Sequence, residues 1–280
     1  MSLQTQPAAP LPSQAEGRLT LPIQTGMDEE VRRLIARLGA DAVRNSDGTE
    51  LPGIVSELAT KVYSTYFVGR GDNAWADAHP DEATRIFLMS DRVAATTDGP
   101  VSIDLLASWF ADQVRPDTGC DVTRWWQAHD RTTGQELPTS AWSIEADGRT
   151  VTVHEALAGH VYTVSFLAVQ TWDPTQMYNY LTNGWDEDPT RVKEKPFDVR
   201  HEATWSHVRT HLSAWLTEHP EVDVVRFTTF FYHFTLVYGA DATERFVDWF
   251  GYSASVSVTA LDAFEEEYGY RLTAEDFVDS

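Results

Sequence analysis

The stretch that most constrains this chain is Gly159–Trp185, GHVYTVSFLAVQTWDPTQMYNYLTNGW. From Val161 to Thr171 it is almost entirely apolar or β-branched, the pattern of a strand buried on both faces. Trp172 and Asp173 break the run, Pro174 turns the chain, and Gln176, Tyr178 and Asn179 follow as a polar and aromatic segment. Doubly covered strands are typical of parallel sheets, and α/β folds place their ligands at the carboxyl ends of such strands. The expectation is a parallel strand ending in a ligand rim, with other segments delivering groups to it.

The flanking segments read as an α/β chain. Met27–Leu38 places Val31, Leu34, Ile35 and Leu38 on one helical face, with Asp28, Glu29 and Glu30 in the first turn and Gly39 as the cap. Asp41–Arg44 reads as a short strand entering a polar turn with Asp47 and Gly48, so Arg44 is a first rim candidate; the alternative is a solvated turn arginine. Pro52–Phe67 is expected to be helical through Ile54, Leu58 and Val62, and Ile103–Val114 through Leu106, Trp109, Phe110 and Val114. Ile86–Met89 reads as a strand. Alternation and Gly-containing turns over Val122–His154 predict antiparallel hairpins, a β-rich excursion at about 120–155. Thr204 opens a helix with Trp205, Val208, Leu212, Trp215 and Leu216 on one face. Val222–Phe234 is a second buried strand, inside which Arg226 must be ion-paired or aimed at a cavity. Arg245–Tyr268 reads as interrupted helix, Thr273 as a further helix start, and residues 1–16 as a disordered leader.

Composition narrows the partners. With 43 acidic against 21 basic residues, a formal charge of −22, the chain lacks the basic footprint that nucleic acid or an anionic membrane requires. No apolar stretch is long enough to span a bilayer and the N-terminus has no signal-peptide pattern, so a cytoplasmic protein is expected. The single cysteine, Cys120, excludes an intramolecular disulfide and a Cys-based zinc site. His207 and His211 sit at helical spacing, but no third ligand stands at a recognisable interval and no metal site is assigned. Ten Trp, ten Tyr and thirteen Phe supply rigid rings of the kind that stack on sugar C–H faces.

Six strings carry a resemblance: GRLTLP, GADAVRNSDGT, KVYSTYFVGRGD, TVSFLAVQTWDPTQMYNYLTN, DVVRFTTFFYHFTL and FVDWFGYSASVSV. From Gly17 onward the chain resembles the N-terminal part of the 1,3-β-galactosyl-N-acetylhexosamine phosphorylases, glycoside hydrolase family 112. The resemblance implies an α/β fold, a partial TIM-like (β/α) barrel over 17–280 with an inserted β-hairpin region, incomplete in this chain. It implies phosphorolysis of a disaccharide with inversion, inorganic phosphate as co-substrate, no cofactor, and a homodimer in the full-length enzyme. Arg44 matches a phosphate-contacting arginine, and Arg226 is a second cation by strand position. Asn179 matches a sugar contact, with Thr175 as a specificity position. Trp172 and Asp173 adjoin them at the rim, Asp173 as a supporting or turn-forming residue. The family's general acid is expected beyond Ser280. Three or four strand–helix units stand here where a closed barrel needs eight, so an inactive fragment is expected. Two other readings stand beside this one: a hydrolase using Asp47 and Asp173, and a non-catalytic sugar-binding module built on Trp172, Tyr178 and Trp185.

Overall fold

A computed structural model describes residues 16–45, 50–69, 71–109, 112–173, 176, 190, 192–227 and 256–278, and the backbone of strands 235–238, 244–248 and 253–255. The chain begins with β1 (Thr20–Ile23), α1 (Asp28–Leu38), β2 (Ala42–Asn45), a 3-10 turn at Gly53–Glu57, and β3 (Lys61–Tyr66). Helix α2 (Asn73–Ala78) leads to β4 (Arg85–Met89), β5 (Val93–Ala94), β6 (Gly99–Asp104) and β7 (Val114–Pro116). A single turn, α3 (Val122–Trp125), precedes β8 (Gln127–Asp130), β9 (Gln135–Glu136), β10 (Trp142–Ile144), β11 (Thr150–Ala156) and β12 (Val161–Gln170). Helix α4 (Glu202–Glu218), β13 (Val224–Phe227), β14 (Thr235–Tyr238), β15 (Glu244–Asp248), β16 (Ser253–Val256) and α5 (Val258–Tyr268) follow. These elements fall into two compact units, Met1–Val68 with Ser206–Thr229, and Gly69–Trp205 with Phe230–Ser280.

The first unit is a four-stranded parallel sheet in the order β1-β2-β3-β13. Helix α1 forms as its acidic first turn and Gly39 cap predict. Gly39 takes the left-handed conformation (φ 67°) and its N–H closes on the Ile35 carbonyl. Val31 of α1 joins Ile23, Val43, Val55 and Val62 in one apolar cluster, with Ile35 packed against it. Leu38 is 52% exposed, so the buried stripe is narrower than the spacing suggested. Asp41 pins the chain ahead of β1: its carboxylate accepts from the N–H groups of Leu19 (2.8 Å) and Gly17 (3.0 Å). The segment Pro52–Phe67 is not a helix. Ile54 and Val55 are buried in the 3-10 turn, and the β-branched and aromatic run KVYSTY becomes β3. Strand β13 is locked to β3 by Asp223. Its N–H donates to the Val62 carbonyl (2.9 Å), and its carboxylate accepts from the Val62 N–H (2.8 Å).

The second unit is antiparallel. Strand β12 is its hub, pairing with β4, β5, β7 and β8, and β16 and β9 extend the sheet to β16-β4-β12-β8-β9. Nine of its ten residues are buried, as the sequence predicts for a doubly covered strand, but the expected parallel direction is wrong. Burial on both faces reports what covers a strand, not which way its neighbours run. One face of β12 carries Phe166 against Trp126, at 5.5 Å between ring centroids. The other carries Thr163 and Ser165 into a polar cluster. The hairpins expected near 120–155 form as β8–β9 and β10–β11. Two helical expectations give way to strands: Ile103 lies in β6, with Val114 in β7, and β15 and β16 occupy the stretch before α5. Among the described residues no helix is long and apolar enough to cross a membrane.

The polar cluster secures the capping-box turn Thr273–Asp276 to the sheet. Glu275 accepts from both terminal nitrogens of Arg131 (2.8 and 2.7 Å) and from the Ser165 hydroxyl, while Arg131 Nε donates to Thr163 Oγ1 (2.6 Å). His129 Nδ1 lies 3.6 Å from the same carboxylate. Burial lowers the His129 pKa below 6.5 despite the nearby Glu275, with Arg131 lowering it further and Glu136 opposing. Glu275 is lowered from 4.5: desolvation opposes ionisation, and the bonds from Arg131 and Ser165 outweigh it. Both groups bind fewer protons folded than unfolded across their shifted ranges, so stability rises with pH. The His129 contribution is complete above 6.5 and is lost as pH falls through its lower folded value; the Glu275 contribution is lost further down, below 4.5. Urea unfolding at about pH 7.5 and about pH 5.5 checks the upper step. The native chain is expected to lose stability over that interval and His129→Gln distinctly less; equal losses would contradict the assignment.

Candidate functional site

The parallel sheet has one face under helices and one face carrying polar groups. Val43, Val62 and Tyr66 point to the helix side: the first two join the cluster with Val31, and Tyr66 meets Trp215 of α4 edge-on at 5.4 Å. Register then fixes the other face. Arg44 pairs with Tyr63, and Arg226 pairs with Thr65. Side chains alternate along a strand, so Arg44, Tyr63, Thr65 and Arg226 share the face away from Val43 and Val62. Arg44 stands one residue before the end of β2, and Arg226 one residue before the end of β13. Both cations therefore stand at the carboxyl rim, separated by β3; Arg226 lies two residues further along the sheet than Arg44, so their backbones are about 12 Å apart. Lys61 lies on the same face but at the amino end of β3.

Arg44 donates from NH1 to its neighbour's carbonyl, Asn45 O, at 3.2 Å. Among the described residues no carboxylate pairs with it, so its remaining donors are available to a ligand. Asn45 is 5% exposed, and its side-chain oxygen accepts from the Thr65 N–H at 3.1 Å. The β2–β3 ladder ends at Arg44 and Tyr63 while β3 runs on beside β13. The Asn45 carboxamide replaces the missing ladder partner there. The sequence pattern singles out Arg44 and Arg226 but not Tyr63 and Thr65, because Lys61–Tyr66 reads there as helix; the alternation in KVYSTY was the signal for those two. Asn45 reads as part of a polar turn and is instead the last residue of β2.

In the second unit, Trp172 and Asp173 are buried, at 2% and 4% exposure. The Trp172 indole N–H donates to Gln176 Oε1 (2.6 Å), and Lys193 Nζ lies 4.4 Å from the ring centroid. Asp173 Oδ1 accepts from the Gln176 N–H (2.7 Å), and the Asp173 N–H donates to the Glu194 carbonyl (2.8 Å). Both side chains are committed to holding the chain after β12. Thr175, Asn179, Asp47, Tyr178 and Trp185 lie outside the described residues. Cys120 donates to the Asp117 carbonyl (2.9 Å), and burial, aided by the Asp117 charge, pushes its pKa up to about 12, so the thiol stays protonated and is no nucleophile. It lines a cavity of about 290 Å³ with Arg85, Asp117, Trp125, Asp198 and His201. His207 and His211, at i, i+4 on α4, lie with ring centroids 4.0 Å apart and their planes tilted by 45°.

A parallel α/β sheet with helices on one face and cations at the carboxyl rim of the other is the arrangement of a barrel-type ligand-binding domain. Residues 17–280 match the family model described as the lacto-N-biose phosphorylase N-terminal TIM barrel domain, and the chain belongs to that family. It is 46% identical over 263 residues to the 1,3-beta-galactosyl-N-acetylhexosamine phosphorylase of Bifidobacterium longum subsp. longum, covering 94% of this chain and 34% of that protein. It is 44% identical over 263 residues to a Lachnoclostridium phytofermentans protein of the same name, and 37% identical over 265 residues to that organism's D-galactosyl-beta-1->4-L-rhamnose phosphorylase; each match covers 94% of this chain and 36% of the relative. The chain thus spans about a third of the length of the curated relatives it matches.

The buried placement of Asp173 has a measurable consequence. Asp173→Ala removes the acceptor for the Gln176 N–H and is expected to cost about 1 kcal/mol or more in urea unfolding without sugar present, with Asp173→Asn retaining most of the stability. An unchanged midpoint in Asp173→Ala would contradict the anchoring role.

Proposed function

We propose that this chain provides the phosphate-holding part of an enzyme that cleaves β-1,3-galactosyl-N-acetylhexosamines with inorganic phosphate. Its products are α-galactose 1-phosphate and free N-acetylglucosamine or N-acetylgalactosamine. The observation that carries the reading is the placement of Arg44 and Arg226 on one face at the carboxyl rim of a parallel sheet. The names of the relatives at 46% and 44% identity support the substrate class, and the rhamnose-linked relative at 37% shares only the galactosyl part.

In the proposed reaction a phosphate oxygen attacks the anomeric carbon as the bond to the leaving oxygen breaks on the opposite side. Configuration inverts, and one general acid protonates the leaving oxygen. No second carboxylate is needed, because phosphate replaces the activated water of an inverting hydrolase. Guanidinium groups suit the anion, since their forked N–H groups bind phosphate oxygens bidentately. Thr175 and Asn179 are proposed as sugar contacts, with Trp172 and Asp173 anchoring the segment that begins just before them. No general acid is assigned within Met1–Ser280; that carboxyl is proposed to come from sequence beyond it. The enzyme is placed in the cytoplasm as a homodimer of full-length subunits, without cofactor, nucleic-acid partner or membrane.

A polypeptide extended to the length of the relatives tests the reading. It is expected to consume lacto-N-biose only when phosphate is present, whereas residues 1–280 alone are expected to give no turnover. Arg44→Ala in the extended chain should raise the phosphate KM by about tenfold or more, the scale of one lost charge-assisted hydrogen bond. Arg44→Lys should not restore it, because an ammonium lacks the fork. Sugar release without phosphate would favour a hydrolase using Asp47 and Asp173. Binding without turnover in the extended chain would favour the sugar-binding module.

A further inference from the structure

We infer that the cavity lined by Asp81, Arg85, Asp117, Asp198 and His201 is a binding site for one neutral monosaccharide. The inference uses no residue of the proposed phosphate site. The cavity lies against Leu167 of β12, within the second unit. Arg85 opens β4, Asp117 follows β7, and Asp198 and His201 stand just ahead of α4. Val258, the first residue of α5, also lines it. Its volume of about 290 Å³ is that of roughly ten waters and falls just under the range of pockets for drug-sized ligands. That is room for one sugar ring.

The lining selects the charge of the ligand. Arg85 donates from Nε to Asp117 Oδ2 (2.7 Å) and from Nη1 to the Ala83 carbonyl (2.5 Å), which leaves its Nη2 without a partner among the described residues. The Arg85–Asp117 pair is largely buried, so the guanidinium plane is fixed before a ligand arrives. The Asp81 side chain is exposed and makes no hydrogen bond or ion pair among the described residues. His201 Nε2 lies 3.7 Å from Asp198 Oδ2, while Asp198 accepts from the Ser257 hydroxyl and the Arg200 N–H (3.0 Å). An anion would meet the carboxylates of Asp81, Asp117 and Asp198 against one guanidinium that is already paired. An ammonium would meet that guanidinium and could accept nothing from it. A hydroxyl both donates and accepts, so a neutral polyol can serve Asp81 and Arg85 together. Leu167 and Val258 add an apolar wall for the C–H groups of a ring, the mixture usual in small-molecule sites.

Cys120 supplies a local readout, because it lines the cavity and is the only cysteine in the chain. Galactose, N-acetylglucosamine and N-acetylgalactosamine are titrated into residues 1–280, and alkylation of Cys120 by iodoacetamide in alkaline buffer is followed by intact mass. At least one sugar is expected to bind and, at about ten times its Kd, to slow alkylation about tenfold. Asp81→Ala is expected to weaken binding about tenfold, as for one hydrogen bond to a charged group. Gly119→Leu should abolish it by filling the cavity. The backbone of Gly119 is not left-handed, and a Cβ there meets only Asp117 Oδ1, at an ordinary 3.6 Å. Should leucine lower the unfolding midpoint, Asp81→Ala and the Cys120 readout decide alone. No binding of any of the three sugars would overturn the inference. So would binding that leaves Cys120 alkylation unchanged, since the sugar would then sit elsewhere, or unchanged affinity in Asp81→Ala. Equal protection by α-galactose 1-phosphate would overturn the neutral class. Loss of phosphate binding in Arg44→Ala with sugar binding intact would leave the inference standing, so the two sites are judged separately.

Discussion

The reciprocal hydrogen bonds between Asp223 and Val62 set everything at the rim. These residues stand 161 positions apart, and their two bonds fix the point at which the returning chain joins the parallel sheet. From there the register runs Val224 with Tyr63, Val225 with Ser64 and Arg226 with Thr65. A slip of one residue would turn Arg226 to the helix-covered side, because strand side chains alternate. The charged acceptor at Asp223 makes this pairing more than a ladder bond: its carboxylate takes an N–H that would otherwise lack a partner at the start of β13. Closing so long a loop is entropically slow to reward but costs little more than closing a shorter one.

The second unit, Gly69–Trp205 with Phe230–Ser280, is a body with its own logic. Strand β12 gathers four neighbours, and its buried residues join a core with Trp125, Trp126 and Trp142. The polar cluster on its second face centres on Glu275, which meets Arg131 with both oxygens. Buried charges of this kind fix position more than they add stability, since desolvation offsets most of the attraction. Here they fix the turn at Ala274–Asp276 against strands drawn from more than a hundred residues earlier.

How much of this was legible depended on whether the signal was local. Helix α1 was, because its acidic first turn, apolar stripe and Gly39 cap all sit within a dozen residues. The burial of β12 was also legible, but its direction was not: a strand covered on both sides reads the same in parallel and antiparallel surroundings. Strand β3 was lost to a helical pattern, since Ile54, Leu58 and Val62 repeat every four residues while the alternation in Lys61–Tyr66 is short. The two arginines stood out as cations beside apolar runs. Thr65 and Asn45 did not, because nothing in a threonine or an asparagine distinguishes a rim position from an ordinary turn until register is known. The clamp through Asp223 was equally invisible, as its partner lies in a distant segment.

The proposed phosphate site depends on one placement: Arg44 and Arg226 on the same face, at the same end of a parallel sheet. A crystal structure of the chain soaked with inorganic phosphate tests it most directly. The expected result is an anion at the carboxyl ends of β2, β3 and β13, within hydrogen-bond distance of both guanidinium groups. Phosphate bound elsewhere, or Arg226 turned toward the helix-covered face with Arg44, would contradict it.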